Sequence, residues 1–183
     1  YHLGNAYYRL NQFNDAYNAY WEAKKYAEKK KAPIFIAYAH QGLGLTLIQQ
    51  KQFSDAKTEM LAANSLFYQY NVERPYLETM ISLAQINYLT DQPNKAVTLL
   101  TTAETLLNHV ELTNDYFVLY ELLAKLYFEK NDLKKAYFWQ KKYSNALLKT
   151  NNLVKPSPQF FTKKEANISK IENISANNKT RQL

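Results

Sequence analysis

The residues able to do chemistry in this 183-residue chain are few and scattered. Its three histidines, His2, His40 and His109, are separated by more than a helical hairpin. No HExxH or equivalent spacing puts two imidazoles on one helix face, so no metal site is expected. There is no cysteine, which excludes disulfide frameworks, thiolate ligation and a thiol nucleophile together. Three glycines in all leave no glycine-rich loop to cradle a phosphate. Acidic residues such as Glu28 beside Lys29 to Lys31, or Glu129 four residues from Lys125, read as solvated helix faces. His40, one turn before Gly44, is expected as a satisfied, buried imidazole on a packing face. The inventory points away from an enzyme, a metal or a cofactor and towards binding by a surface.

The elements that position such a surface repeat every forty residues. Ala16, Ala56, Ala96 and Ala136 mark the register. Twelve or thirteen positions before them stand Leu3-Gly4, Leu43-Gly44, Leu83-Ala84 and Leu123-Ala124, and Tyr7, Leu47, Asn87 and Tyr127 follow three positions on. Downstream, Tyr20 with Ala23, Met60 with Ala63, Leu100 with Ala103 and Gln140 with Tyr143 keep the register. Apolar spacing of three and four within each unit predicts two helices. The turns between them fall at Asn11-Gln12, Gln50 to Gln52, Asp91-Gln92 and Asn131-Asp132. Pro93 suits a first helical turn, while Pro33, Pro75 and Thr113-Asn114-Asp115 are expected to break the chain between units. Small residues at Gly4, Gly44, Ala84 and Ala124 predict close approach of the first helix to the second. One hairpin cannot cover its own apolar face, so the four must stack.

Leu3-Gly4 with Tyr7, then Phe13, then Ala16 with Tyr20 and Ala23, resembles the tetratricopeptide repeat, a helix–turn–helix module that stacks into a right-handed superhelix. The resemblance implies an all-α fold, an α-solenoid of four repeats over residues 1–149 with the first unit clipped at its start, followed by a linker and C-terminal helix over 150–183. The period of forty exceeds the usual ~34, lengthening each helix pair by about a turn and a half. HEAT-type repeats share a period near forty, but the small-residue columns match the tetratricopeptide pattern.

In that family the first helices line a concave groove. The resemblance therefore implies groove positions at Asn5, Tyr8 and Arg9; at Tyr38, Gln41, Leu45 and Ile48; at Glu78, Ile81, Gln85 and Tyr88; and at Val118, Glu121, Lys125 and Phe128. Amides that pair with backbone, set among aromatic and aliphatic residues, suit a peptide or a protein segment; a small ligand is the other option. Several of these residues are also candidates for packing between adjacent first helices. A clamp for a chaperone's C-terminal carboxylate is not expected, because Asn5 is followed at the corresponding later positions by Gly42, Glu78 and Ser82.

The net charge of +7 is unevenly placed, with +4 of it in residues 150–183. Nucleic-acid binding through Lys24, Lys25 and Lys29 to Lys31 is thus a minor alternative, and no nucleic acid is expected as a partner. In the tail, Pro156 and Pro158 form a joint, and Thr162 is placed to cap a helix through Glu165, Ile168, Ile171 and Ile174. That helix is expected to cap the array, fill the groove or self-associate with a second copy. Its Asn-x-Ser/Thr triplets at Asn167, Asn173 and Asn178 are ascribed to composition. The ending is similar to the connectors of bacterial tetratricopeptide sensors, which implies a sensory segment of a larger membrane-anchored signalling protein, such as a diguanylate cyclase or histidine kinase, on the periplasmic face. The alternative is a cytoplasmic adaptor or a peptide-sensing transcriptional regulator. No stretch of the chain is long and apolar enough to span a bilayer.

Overall fold

The structure, a computed structural model, describes residues 1–107 and 115–149. All regular structure among them is helical: α1 (His2–Arg9), α2 (Phe13–Lys29), α3 (Pro33–Gln49), α4 (Phe53–Gln69), α5 (Glu73–Leu89), α6 (Pro93–Leu106), α7 (Asp115–Glu129) and α8 (Leu133–Lys149). The expected all-α solenoid of stacked hairpins is what the chain forms. The expected C-terminal helix, and the break at Thr113-Asn114, lie outside the described residues. The chain divides into a compact unit, Tyr1–Ala146, and a second, Leu147–Leu183. The described helices belong to the first unit, apart from the end of α8.

A finer period underlies the forty-residue one. Backbone with positive φ occurs at Asn11, Lys31, Lys51, Asn71, Asp91 and Asn131, at multiples of twenty residues. Each such residue ends a helix in the same way. Around Lys51, for example, the amide of Gln52 donates to the carbonyl of Leu47, and the amide of Lys51 to that of Ile48. This double bond pattern closes the last turn and satisfies carbonyls that the helix leaves unpaired. One residue later the next helix begins, as when the amide of Ala56 donates to Gln52. The connection within a unit is therefore the same as the connection between units, and helices of seventeen residues joined by three fill the period. Pro33 and Pro93 occupy first helical positions. Pro75 does not break the chain: it is the third residue of α5 and is buried, and the break is at Asn71.

Close approach of the helices depends on where a side chain is missing. A Cβ on Gly4 would fall 2.6 Å from the Tyr20 ring, and one on Gly42 closer still; one on Gly44 would meet Met60 at 2.9 Å. Tyr20 is thus held in a slot between glycines of α1 and α3, only 2% exposed, with its hydroxyl donating to Asn5 Oδ1 at 2.7 Å. Across the units the opposed columns read Gly4 with Tyr20, Gly44 with Met60, and Ala84 with Leu100. Where the small residue gains a methyl, at Ala84, the residue opposite is Leu100, smaller than the Tyr20 ring that faces Gly4. Ala16, Ala56 and Ala96 are fully buried, as are Leu43 and Leu123, with Leu83 at 4%. Leu3, with no second helix before it in the described residues, is 60% exposed.

Consecutive helices pack along the unit, and α1 also touches α3, α3 touches α5, and α5 touches α7. Among the described residues the second helices α2, α4 and α6 do not approach one another in that way, so the first-helix layer is the more tightly drawn and forms the inside of the curve. α8 is fastened by aromatic contacts, Phe117 on Tyr143 and Tyr120 stacked on Trp139. Lys142 adds a link by bonding Glu104 of α6 while lying over the rings of Tyr120, Phe138 and Trp139.

Gly4→Ala is expected to destabilise the array by ~1–3 kcal/mol through overpacking. Adding Tyr20→Leu, which recreates the Ala84–Leu100 pairing, should recover part of that loss in urea unfolding. At the left-handed turn residue, Lys51→Gly should raise stability by ~0.5–1 kcal/mol, because the Cβ penalty of that backbone disappears. The same unfolding midpoint checks both.

Candidate functional site

Adjacent first helices are tied by side-chain bonds that run along the inner face. The amide of Gln49 donates to the hydroxyl of Tyr8 at 3.2 Å, and eighty residues further along the Tyr88 hydroxyl donates to Glu129 at 2.8 Å. The same two columns in the middle of the array hold Ile48 and Leu89, so polar and apolar pairs alternate. Gln41 donates to Glu78 at 3.1 Å, and Arg74 holds the other oxygen of that carboxylate at 3.0 Å. Lys125 lies 4.8 Å from the centre of the Tyr88 ring, a cation over an aromatic face. Bonds from one repeat to the next make the layer behave as a braced sheet of helices.

The fifteen positions expected along this layer fall into three groups. Gln41, Ile48 and Ile81 are buried and belong to the packing between first helices. Arg9 is exposed, as is Val118 at 40%. Asn5, Tyr8, Tyr38, Leu45, Glu78, Gln85, Tyr88, Glu121, Lys125 and Phe128 are half-buried, each with an edge at the surface. Asn5 commits its carbonyl oxygen to Tyr20, and Tyr38 packs edge-on to Phe67 at 5.0 Å and beside Tyr1 at 5.6 Å. The expectation omitted Leu89, a large apolar side chain 45% exposed at the end of α5. Its column holds Arg9, Gln49 and Glu129 in the other units, so an apolar residue there was the available signal.

His40 is satisfied as expected, its Nδ1 lying 2.5 Å from Glu59 of α4, but it is half-buried and not buried, because that partner stands at the edge of the helix layer. Lys24 of α2 approaches the other oxygen of Glu59 at 3.9 Å, which joins three successive helices. Burial alone would raise the Glu59 pKa, but the hydrogen bond and charge of His40, with Lys24, outweigh it and hold the carboxyl below its usual range. The lysines offered for nucleic acid are partly committed: Lys24 to Glu59, Lys25 to Glu22 at 2.6 Å, and Lys30 over the Tyr26 ring. Among the described residues no three His, Asp or Glu side chains come together to hold a metal ion, and no helix is long and apolar enough to cross a membrane. A polar recess of about 320 Å³ lies at the other side of the hairpins, lined by Asn14, Tyr17, Asn18, Gln50 and Gln52.

No family model matches the chain, and no curated protein matches it. Among solved structures it is similar to the crystal structure of BtubC (BKLC) from P. vanneervenii, with a TM-score of 0.71 and 17% identity. The match covers 86% of this chain and 65% of that one, so the chain spans about two thirds of the length of that neighbour. At this identity the likeness is one of fold, an all-α array.

Replacing Glu59 by Gln removes a charge-assisted bond between helices, which is expected to cost ~1.5–3 kcal/mol at pH 7. A depressed folded-state pKa gives stability that is present above the unfolded carboxyl value and lost as pH falls through the folded one. Wild type should therefore lose stability below about pH 4.5 more steeply than Glu59→Gln, as followed by thermal unfolding across pH.

Proposed function

We propose that residues 1–146 are a tetratricopeptide-type recognition module with no catalytic role of their own, taking up a peptide or a segment of a partner protein along the first-helix layer. The observation that carries this is the braced inner face. Side-chain bonds from one repeat to the next hold Tyr8 and Tyr88, and Leu45, Gln85 and Leu89 stand on the same layer with an edge at the surface, so that amide and hydroxyl groups alternate with apolar ones. A pre-ordered face of this kind loses little entropy on binding. Its apolar residues supply pockets at repeat spacing, and its amides supply partners for an extended backbone. The charges along it, Arg9, Glu78, Glu121, Lys125 and Glu129, are mixed in sign, which suits a peptide without a strong charge of its own. The module serves as the sensory or scaffolding part of a larger membrane-anchored bacterial signalling protein.

Selection from a displayed random-peptide library against the whole chain tests the proposal. Enriched peptides should bind wild type and lose at least about tenfold in affinity on Leu89→Lys, since an apolar contact is replaced by a desolvated charge. They should be unaffected by Trp21→Ala on the second-helix side. Absence of enrichment, or sensitivity to Trp21→Ala alone, would count against this face.

A further inference from the structure

The last described helix differs from every second helix before it. α8 contains five lysines and no acidic residue. Lys134, Tyr137, Phe138, Lys141, Ser144 and Asn145 are all exposed, and their spacing of three and four places them on one side of the helix. The opposite side carries Ala136, Trp139, Tyr143 and Ala146, all buried in the array. Two of its columns are short and polar in earlier units: Phe138 stands where Asn18, Thr58 and Thr98 stand, and Lys134 where Asn14, Ser54 and Asn94 stand, whereas the Lys141 column holds Trp21, Leu61 and Thr101 and the Tyr137 column Tyr17, Lys57 and Val97. Phe138 is 51% exposed and Tyr137 43%. The nearby acids lie off this stripe and are already engaged, Asp132 with Lys135 at 3.3 Å and Glu104 with Lys142.

We propose that this outward side of α8 docks on an anionic lipid bilayer. Lysines alternating with aromatic rings on one exposed helix side match the two layers of a membrane interface. Ammonium groups meet the lipid phosphates, while Phe138 and Tyr137 enter the boundary between headgroups and acyl chains. A nucleic acid would draw on the lysines as well but gains little from Phe138 and Tyr137, which are half exposed beside them, Phe138 resting edge-on against Trp139, without a stacking groove. The exposed aromatic residues thus favour the bilayer, and the lysines require it to be anionic. Bound this way, the array would lie with its last repeat at the membrane and its inner face free for a partner.

Co-sedimentation of the full chain with vesicles tests this, using phosphatidylcholine alone and phosphatidylcholine with about 30% phosphatidylglycerol. Binding is expected only to the anionic vesicles and should weaken sharply between about 50 and about 300 mM salt, as screening shortens the reach of the charges. Lys134→Gln with Lys141→Gln should weaken it about thirtyfold, and Phe138→Ser severalfold with the salt dependence retained. All three positions are exposed, and matching circular dichroism and melting curves will show that the variants fold. The proposal is overturned by equal binding to neutral vesicles, by no binding at low salt, or by binding that survives the double lysine variant and so belongs to the basic residues beyond α8. It is equally overturned if labelled nucleic acid binds in place of vesicles with the same lysine dependence, or if Phe138→Ser abolishes a concentration-dependent dimer, which would make a second copy the occupant.

Discussion

Contact between a bulky side chain and a position that lacks one sets the spacing on which the array depends. Tyr20 fits between α1 and α3 only because Gly4 and Gly42 present bare backbone to its ring, and Met60 reaches α3 only because of Gly44. The rest of the packing follows from that separation. With the helices drawn this close, Ala16, Ala56 and Ala96 fill their columns completely, and larger residues there would force the pairs apart. In the third unit the glycine is replaced by Ala84 and the residue opposite is Leu100, smaller than the Tyr20 ring of the first unit.

The second constraint is the backbone of the turns. Six described connections use a left-handed residue with no glycine, four of them Asn or Asp, whose short polar side chains tolerate that conformation, and two of them Lys. Because these connections are alike, successive helices reverse direction by the same geometry, and the first helices come to share one layer. The bracing bonds of the inner face depend on this. Tyr8 meets Gln49, and Tyr88 meets Glu129, only if corresponding points of neighbouring first helices are level. The alignment of side chains along this face is therefore a consequence of uniform turns, and a mixture of turn types would leave the same side chains out of register.

The fourth unit differs from the three before it: in α8 the column of Tyr20, Met60 and Leu100 is taken by the polar Gln140. Lys134 and Lys141 make the outer side of α8 compatible with water or with a charged surface. The array is held to this helix by rings, Tyr120 on Trp139 and Phe117 on Tyr143, with the Lys142 ammonium joining α6, α7 and α8.

The sequence alone determined the helices, their pairing into four units and the identity of the small-residue columns, because apolar periodicity and a forty-residue register are local properties that survive without coordinates. The turns within units were legible for the same reason. Between units, Pro33 marked one turn correctly, but Pro75 drew attention to the wrong place, four residues beyond the left-handed Asn71. The inner face was legible as a set of columns but not as a surface. Gln41, Ile48 and Ile81 share those columns with Gln85 and Tyr88, and only the distance between neighbouring first helices decides which are buried. Likewise, the sequence marks His40 as an imidazole with a partner but does not name it: Glu59 meets it, with Lys24, only when three helices stack. Periodicity fixes the direction in which a side chain leaves its helix; the partner that it meets depends on how far away the next helix is held, and here that distance is set by Tyr20 and Met60 against three glycines.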